Sequence, residues 1–323
     1  MNNTRIAALF AAGSAAAAAY MGAHRFINKT MIAMALDREE PAIMKKAMPI
    51  LSGFSVDEGY IESVGEKSGD IFAEPHEDIE IESFDGIRLV GHFFRRENAR
   101  RVIIAMHGWR SRWFYDFSGI WDFWKETGCS ILCPEQRAQG ASGGDHMGFG
   151  LLERYDCLEW AKWAEANAAG DLPVYLAGVS MGAATVLMTS GFEDLPDNVH
   201  GIIADCGFTS PKAEFEYVTT QNLHLPFITR ERDADRLCEK RIGMPSDAYS
   251  TLEAMKTNTR PILFIHGKKD HFVPARMSEE TYAACKAPKE LLLVDDADHA
   301  QSYLKDPARY EAAVREFFDQ YDR

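Results

Sequence analysis

The sequence predicts an α/β fold: a mainly parallel central sheet, helices on both faces, and a helical cap inserted between the last strands. Three observations lead there. Short apolar runs, among them Arg101–Met106, Val174–Val179 and Gly201–Asp205, continue without polar alternation, as strands buried on both faces do. Segments of helical spacing separate them, and repeated strand–helix units are how parallel strands are joined. The rhythm lapses once, from Ser210 to Thr257, where clustered charges (Arg230-Glu231-Arg232-Asp233) mix with apolar points such as Phe215, Tyr217 and Phe227. An insertion of that length is most simply a cap, about residues 211–257, over the carboxyl edge of the sheet.

In chain order, Ile6 to Ala23 is an uncharged, Ala-rich run with Arg5 before it and His24, Arg25 and Lys29 after it. It is just long enough to span a bilayer as a helix. An uncleaved signal anchor is the preferred reading, against a signal peptide cleaved within Ala15–Ala19 or an ordinary surface helix. Residues 1–30 are therefore set apart as an anchor or signal segment, and residues 31–77, with Pro41, Pro49 and Gly53, as a connector with one or two short helices. The main domain is expected over 78–323. It opens with a hairpin at a sheet edge: Ile79–Ser83 alternates, Asp85-Gly86 turns, and Ile87–Phe94 returns. Then follow the strand Arg101–Met106, a helix over Phe117–Thr127, the strand Ser130–Cys133 and a helix over Leu151–Ala168. After Val174–Val179 and its helix come the strands Gly201–Asp205, Pro261–Ile265 and Glu290–Val294, and a closing amphipathic helix, Pro307–Tyr321.

Charge narrows the partners. With 49 acidic against 35 basic residues and a net charge of -14, the surface repels phosphate backbones, so nucleic acid is not an expected partner. The six cysteines lack any C-x-x-C pairing and sit in apolar or helical stretches. They are expected as small buried hydrophobes rather than as a zinc site or disulfide framework. No metal and no organic cofactor is expected.

The chemistry is expected where the strands end, because sites in such sheets form outside the carboxyl edge. Gly178-Val179-Ser180-Met181-Gly182, between a strand and an Ala-rich helix, fits G-x-S-x-G, a turn that pushes a serine hydroxyl out above the sheet. A tetrahedral oxyanion formed on Ser180 needs two preorganised N–H donors, and Met181 and Trp109 of His107-Gly108-Trp109-Arg110 are the candidates. His107 is expected to order that loop. Asp270, in the loop after Pro261–Ile265, suits the carboxylate that orients an imidazole, with Asp205 as runner-up. His299, the last of ten histidines, has the place that the order Ser, acid, His requires of the base.

With those residues in place, about residue 78 to the end resembles a serine-type α/β-hydrolase. His107-Gly108-Trp109 with Ser111-Arg112, Arg137-Ala138-Gln139-Gly140-Ala141-Ser142-Gly143-Gly144, Gly150-Leu151-Leu152-Glu153-Arg154-Tyr155-Asp156 and Asp205-Cys206-Gly207-Phe208-Thr209-Ser210 are similar to a bacterial membrane-anchored or exported subgroup related to serine aminopeptidase-like and bile-acid acyltransferase-like proteins. The resemblance implies Ser180 as nucleophile, His299 as base, Asp270 as orienting acid, oxyanion donors at Trp109 and Met181, and a catalytic domain outside the cytoplasm. Glu135 departs from it, standing where many relatives have Asp. The expected reaction is hydrolysis of a small ester or acyl substrate through an acyl-enzyme, a carboxylesterase activity. A peptidase, a thioesterase or acyltransferase, and a non-catalytic membrane-tethered module are the alternatives. Trp113, Phe114 and Phe227 are candidates for an apolar substrate pocket, or equally for core beneath the cap.

Overall fold

The computed structural model describes residues 22, 25–41, 58–224 and 231–322. Its centre is an eight-stranded sheet: β1 (Glu77–Glu82), β2 (Arg88–Phe94), β3 (Arg101–Met106), β4 (Cys129–Glu135), β5 (Val174–Val179), β6 (Val199–Asp205), β7 (Ile262–Gly267) and β8 (Lys289–Val294). The spatial order is β1-β2-β4-β3-β5-β6-β7-β8. The β1–β2 hairpin is antiparallel and joins β4 antiparallel, while β4, β3, β5, β6, β7 and β8 run parallel. Every residue of β3, β4, β5 and β7 is buried, which is why their sequences carry no alternation. Between β3 and β5 the chain changes its direction of travel across the sheet, and the crevice at such a switch point is where ligands are received.

Residues 25–36 are helical (α1), and α2 spans Glu58–Ala73. Where one helix is expected over Phe117–Thr127 there are two short ones, α3 (Trp113–Asp116) and α4 (Trp121–Glu126), with Phe117–Ile120 in turn conformation between them. The helix expected over Leu151–Ala168 is α5 (Glu153–Ala164), finished by a π-helical turn, Glu165–Ala169. Helix α6 (Met181–Thr189) leaves β5 directly. The insertion between β6 and β7 is helical: α7 (Pro211–Tyr217) with a π turn over Val218–Asn222, α8 (Glu231–Ile242) and α9 (Thr251–Ala254). Helix α10 (Arg276–Ala284) precedes β8, and α11 (Ser302–Lys305) and α12 (Pro307–Tyr321) close the chain.

Three apolar clusters hold these layers together. Trp121, Trp124 and Phe317 fill one face of the sheet, and Trp160, Leu187 and Met255 the other. In the third, Ile32 and Leu36 of α1 pack with Met181 and Met188 of α6 and with Cys238 and Ile242 of the cap helix α8. All six cysteines are buried and unpaired. Among the described residues no helix is long and apolar enough to cross a membrane; the run Ile6–Ala23, Gly22 apart, lies outside them.

Candidate active site

Ser180 terminates β5 with φ 56° and ψ −116°, a conformation that costs a non-glycine residue about 1–3 kcal/mol. Two glycines make the turn possible. A Cβ on Gly178 would lie 2.6 Å from Ala183 N, and one on Gly182 would lie 2.5 Å from the carbonyl carbon of Met106. Both positions therefore exclude a side chain, and α6 closes tightly onto β3 and β5. The Ser180 N–H donates to Asp205 O at 2.9 Å, which fixes the turn against β6.

Three loops bring the other candidates to this serine. His299 Nε2 is 2.9 Å from Ser180 Oγ, and His299 Nδ1 is 2.7 Å from Asp270 Oδ2. Because a carboxylate can only accept, the imidazole carries its proton on Nδ1 and offers the Nε2 lone pair to the serine hydroxyl. Asp270 is itself held firmly: Phe272 N and Val273 N donate to Oδ1 at 2.9 and 2.8 Å, and His266 Nε2 approaches Oδ2 at 3.2 Å. Burial works against its charge, but His299 and His266 outweigh that and hold its pKa well below the usual carboxylate range. Burial likewise disfavours the imidazolium of His299, yet Asp270 beside it raises its pKa above the ordinary 6.5. Asp205, the runner-up acid, turns instead to Ser302, whose hydroxyl donates to it at 3.0 Å.

The loop after β3 lies against the turn. A Cβ on Gly108 would be 3.5 Å from Ser180 Cβ, and the Gly108 N–H is tied to Asp116 Oδ2 at 2.6 Å. His107 orders the loop through Gly108 O, 2.8 Å from its Nδ1, and through Gln136, whose N–H donates to its Nε2 at 3.1 Å. The main-chain N–H groups of Trp109 and Met181 have no hydrogen-bond acceptor among the described residues, and that of Met181 belongs to the first turn of α6. Such donors are what a developing oxyanion would require.

An unforeseen clasp holds this loop from behind. Trp109 Nε1 donates to Ala35 O at 2.9 Å, and the Arg110 guanidinium donates to Met34 O at 2.9 Å and Asp37 O at 2.5 Å. Arg38 donates to Ser142 O and Gly140 O, each at 2.7 Å, and the Asp37 carboxylate accepts from Arg241 on α8. Residues 34–38 thus join the loop after β3, the 137–144 loop and the cap. Glu135 takes its own part here, accepting from Ala141 N, so its departure from Asp serves to close the 135–141 turn.

The pocket candidates fare differently. Trp113 is completely buried, with its ring packed on those of His92, Phe94 and Trp121, so it is core rather than pocket lining. Phe114 is partly buried against Phe72 of α2 and Trp113, so α2 rather than the cap covers it. Phe227 lies outside the described residues. A cavity of about 380 Å³ does exist, but behind the serine turn: Gly178, Val179, Asp116, Ala300 and Tyr303 are among its walls, and Ser180 and His299 are not. The acidic run after β8 is fully engaged, with Asp295 paired to Lys268, Asp296 to Lys269, and Asp298 accepting from the N–H groups of His271 and His299. His266 is the site residue that reasoning from the sequence passed over; its i, i+4 spacing from Asp270 is the signal that could have found it.

Several known proteins are similar to this chain. The chain is 27% identical over 268 residues to the uncharacterized protein YqkD of Bacillus subtilis (strain 168), covering 81% of this chain and 87% of that one. It is 28% identical over 237 residues to the uncharacterized protein YfhR of Escherichia coli (strain K12), covering 70% and 74%. In structure it is similar to the esterase Pf2001 of Pyrococcus furiosus, with a TM-score of 0.63 at 22% identity, over 79% of this chain and 95% of that one. It is also similar to Est1E of Butyrivibrio proteoclasticus with ferulic acid bound, with a TM-score of 0.59 at 18% identity, over 75% and 98%. These likenesses show a common fold. The sequence profile of the alpha/beta hydrolase family matches residues 102–313, a stretch that runs from β3 into α12 and includes Ser180, Asp270 and His299. This chain belongs to the alpha/beta hydrolase family.

Proposed function

We propose that this hydrolase cleaves carboxylic esters through an acyl-enzyme on Ser180. The observation that carries the reading is the unbroken hydrogen-bond line from Ser180 Oγ through His299 to Asp270, at 2.9 and 2.7 Å. His299 takes the hydroxyl proton as Ser180 attacks the ester carbonyl, and the N–H groups of Trp109 and Met181 receive the oxyanion. His299 then protonates the leaving alcohol and activates water to release the acid, while Asp270 keeps the imidazole in its tautomer throughout. Ester is preferred to peptide because the carboxylates that the acidic run offered to a free amino terminus, Asp295, Asp296 and Asp298, are all occupied.

The test is turnover of a p-nitrophenyl ester series, short to long acyl chain, beside amino-acid p-nitroanilides, by the native chain and by Ser180→Ala. Ester turnover reduced on the order of 10⁶-fold in the variant is expected. Ester turnover undiminished in Ser180→Ala, or anilides strongly preferred, would reject the reading.

Residues 6–23 are proposed to anchor the enzyme to a membrane with the catalytic domain outside the cytoplasm. Because Ile32 and Leu36 pack against α6 and the cap, the deletion that tests this should end before residue 25. A chain lacking residues 1–21 that stays in the membrane fraction would rule the anchor out.

A further inference from the structure

Asp78 on β1 stands opposite His92 on β2 in the antiparallel pair, and His76 comes two residues before Asp78. Residues so placed share one side of a hairpin. His92 Nδ1 is 2.8 Å and His76 Nε2 is 3.4 Å from Asp78 Oδ1, and the three atoms all lie within 4.8 Å of one another. The other nitrogen of each ring is already engaged. His76 Nδ1 is 2.7 Å from the carbonyl oxygen of Glu74, and His92 Nε2 is 3.4 Å from Glu135 Oε1.

The carbonyl of Glu74 can only accept and draws the His76 proton to Nδ1, leaving its Nε2 lone pair facing Asp78, whereas His92 stands between two carboxylates and its Nδ1 proton goes to the nearer one, Asp78. One imidazole lone pair, one imidazole nitrogen sharing its proton with Asp78, and the Asp78 oxygen itself thus converge on one point. A metal ion at that point would take the place of the shared proton, and the outer contacts are the kind that orient metal-bound histidines. The surroundings suit a coordinated ion. Phe94 lies 5.0 Å from the His76 ring and Trp113 5.0 Å from the His92 ring, giving an apolar floor, while the Asp78 side chain is 70% exposed and leaves room for water ligands.

We propose that His76 Nε2, Asp78 Oδ1 and His92 Nδ1 bind a divalent transition-metal ion, of the zinc, cobalt or nickel type, with water completing its shell. Two imidazoles select such ions over magnesium and calcium, which prefer all-oxygen sites. The ion would staple the end of the segment that follows α2 to both strands of the edge hairpin. It is a site that the sequence reading, which expected no metal, had no motif to signal. A proton shared between His92 and Asp78 is the competing occupant.

The full chain, stripped with a chelator and dialysed, is titrated with Zn²⁺ against a chromogenic chelator, and with Co²⁺ followed by visible absorption. One ion per chain is expected, with affinity reduced at least about tenfold in Asp78→Asn and in His76→Asn. Zn²⁺ should raise the Tm of the native chain and not that of Asp78→Asn, a substitution at an exposed side chain that circular dichroism can show to be folded. No uptake by the native chain, or uptake unchanged in both variants, overturns the proposal. So does uptake lost in Cys206→Ala instead, since Cys206, Asp270 and His299 form the other such group of metal-ligand atoms among the described residues.

Discussion

His266 and His299 share one oxygen: Oδ2 of Asp270 lies 3.2 Å from Nε2 of the first and 2.7 Å from Nδ1 of the second. His266 is fixed in turn by Ser278 Oγ, 2.7 Å from its Nδ1, and by Val273 O, 2.9 Å from its Nε2. It is completely buried and touches no reacting atom in the proposed reaction. It holds the carboxylate that in turn holds His299.

That relationship makes His266 a positioning residue with a measurable weight. His266→Ala should lower kcat/KM for the ester substrate about 10–100-fold, because small displacements of a catalytic array are costly. His266→Gln, which keeps an N–H donor, should recover part of the loss. Equal activity in the two variants, each folded by circular dichroism, would count against the positioning role.

The raised pKa of His299 fixes the direction of the pH profile. In the proposed reaction its imidazole must be neutral to accept the Ser180 proton, so kcat/KM should fall on the acid side with a midpoint above 6.5. Asp270→Asn should move that midpoint down and cut kcat on the order of 10⁴-fold. The same shift bears on stability with the opposite sense. A histidine whose pKa is raised on folding contributes fully below pH 6.5, and its contribution is lost as the pH climbs through the raised value. A pH–rate profile of both chains tests the kinetic part; a native midpoint at or below 6.5 would contradict it.

Glu214 on the cap helix α7 is buried, and neither carboxyl oxygen has a hydrogen-bond partner among the described residues. Burial, and secondarily the charge of Asp270, pushes its pKa well up. A carboxyl that keeps its proton longer in the folded state contributes fully below its unfolded value of 4.5, and that contribution is lost as the pH rises towards the folded value. Glu214→Gln should therefore stabilise the protein by about 1–3 kcal/mol at pH 8 and by much less near pH 4. Thermal melts at the two pH values decide it, since a gain independent of pH would point to packing instead.

Two glycines should respond in opposite ways to alanine. Gly182→Ala forces a Cβ against the Met106 carbonyl at the closest approach of α6 to β3, and should cost at least about 3 kcal/mol. Gly69, inside α2 with nothing within 4 Å of the place of its Cβ, should gain about 0.5–1 kcal/mol from the same change. Chemical denaturation of both variants measures the pair.

The sequence disclosed what is local. Strand type, the serine turn and the loops carrying Asp270 and His299 each leave a mark within a few neighbouring residues, and the sheet aligns them without further information. Trp113 was ambiguous because an aromatic beside the loop after β3 looks the same whether it faces a pocket or, as it does, Phe94 and Trp121. The grip of residues 34–38 on Trp109 and Arg110 was invisible for a different reason. Its acceptors are main-chain carbonyls, which every residue has, so no pattern of side chains distinguishes Met34, Ala35 and Asp37 from their neighbours.

The same grip sets an order of events during synthesis. Asp37 and its partner Arg241 are 204 residues apart, and Arg38 and Ser142 are 104 apart. At a translation rate of roughly 5–20 residues per second, about 10–40 s separate the emergence of Asp37 from that of Arg241. Ile32 and Leu36 spend that interval without the cap helix they finally pack against. The bonds from residues 34–37 to Trp109 and Arg110 span only 73–76 residues, so it is the cap end of the clasp, through Arg241, that closes late in synthesis.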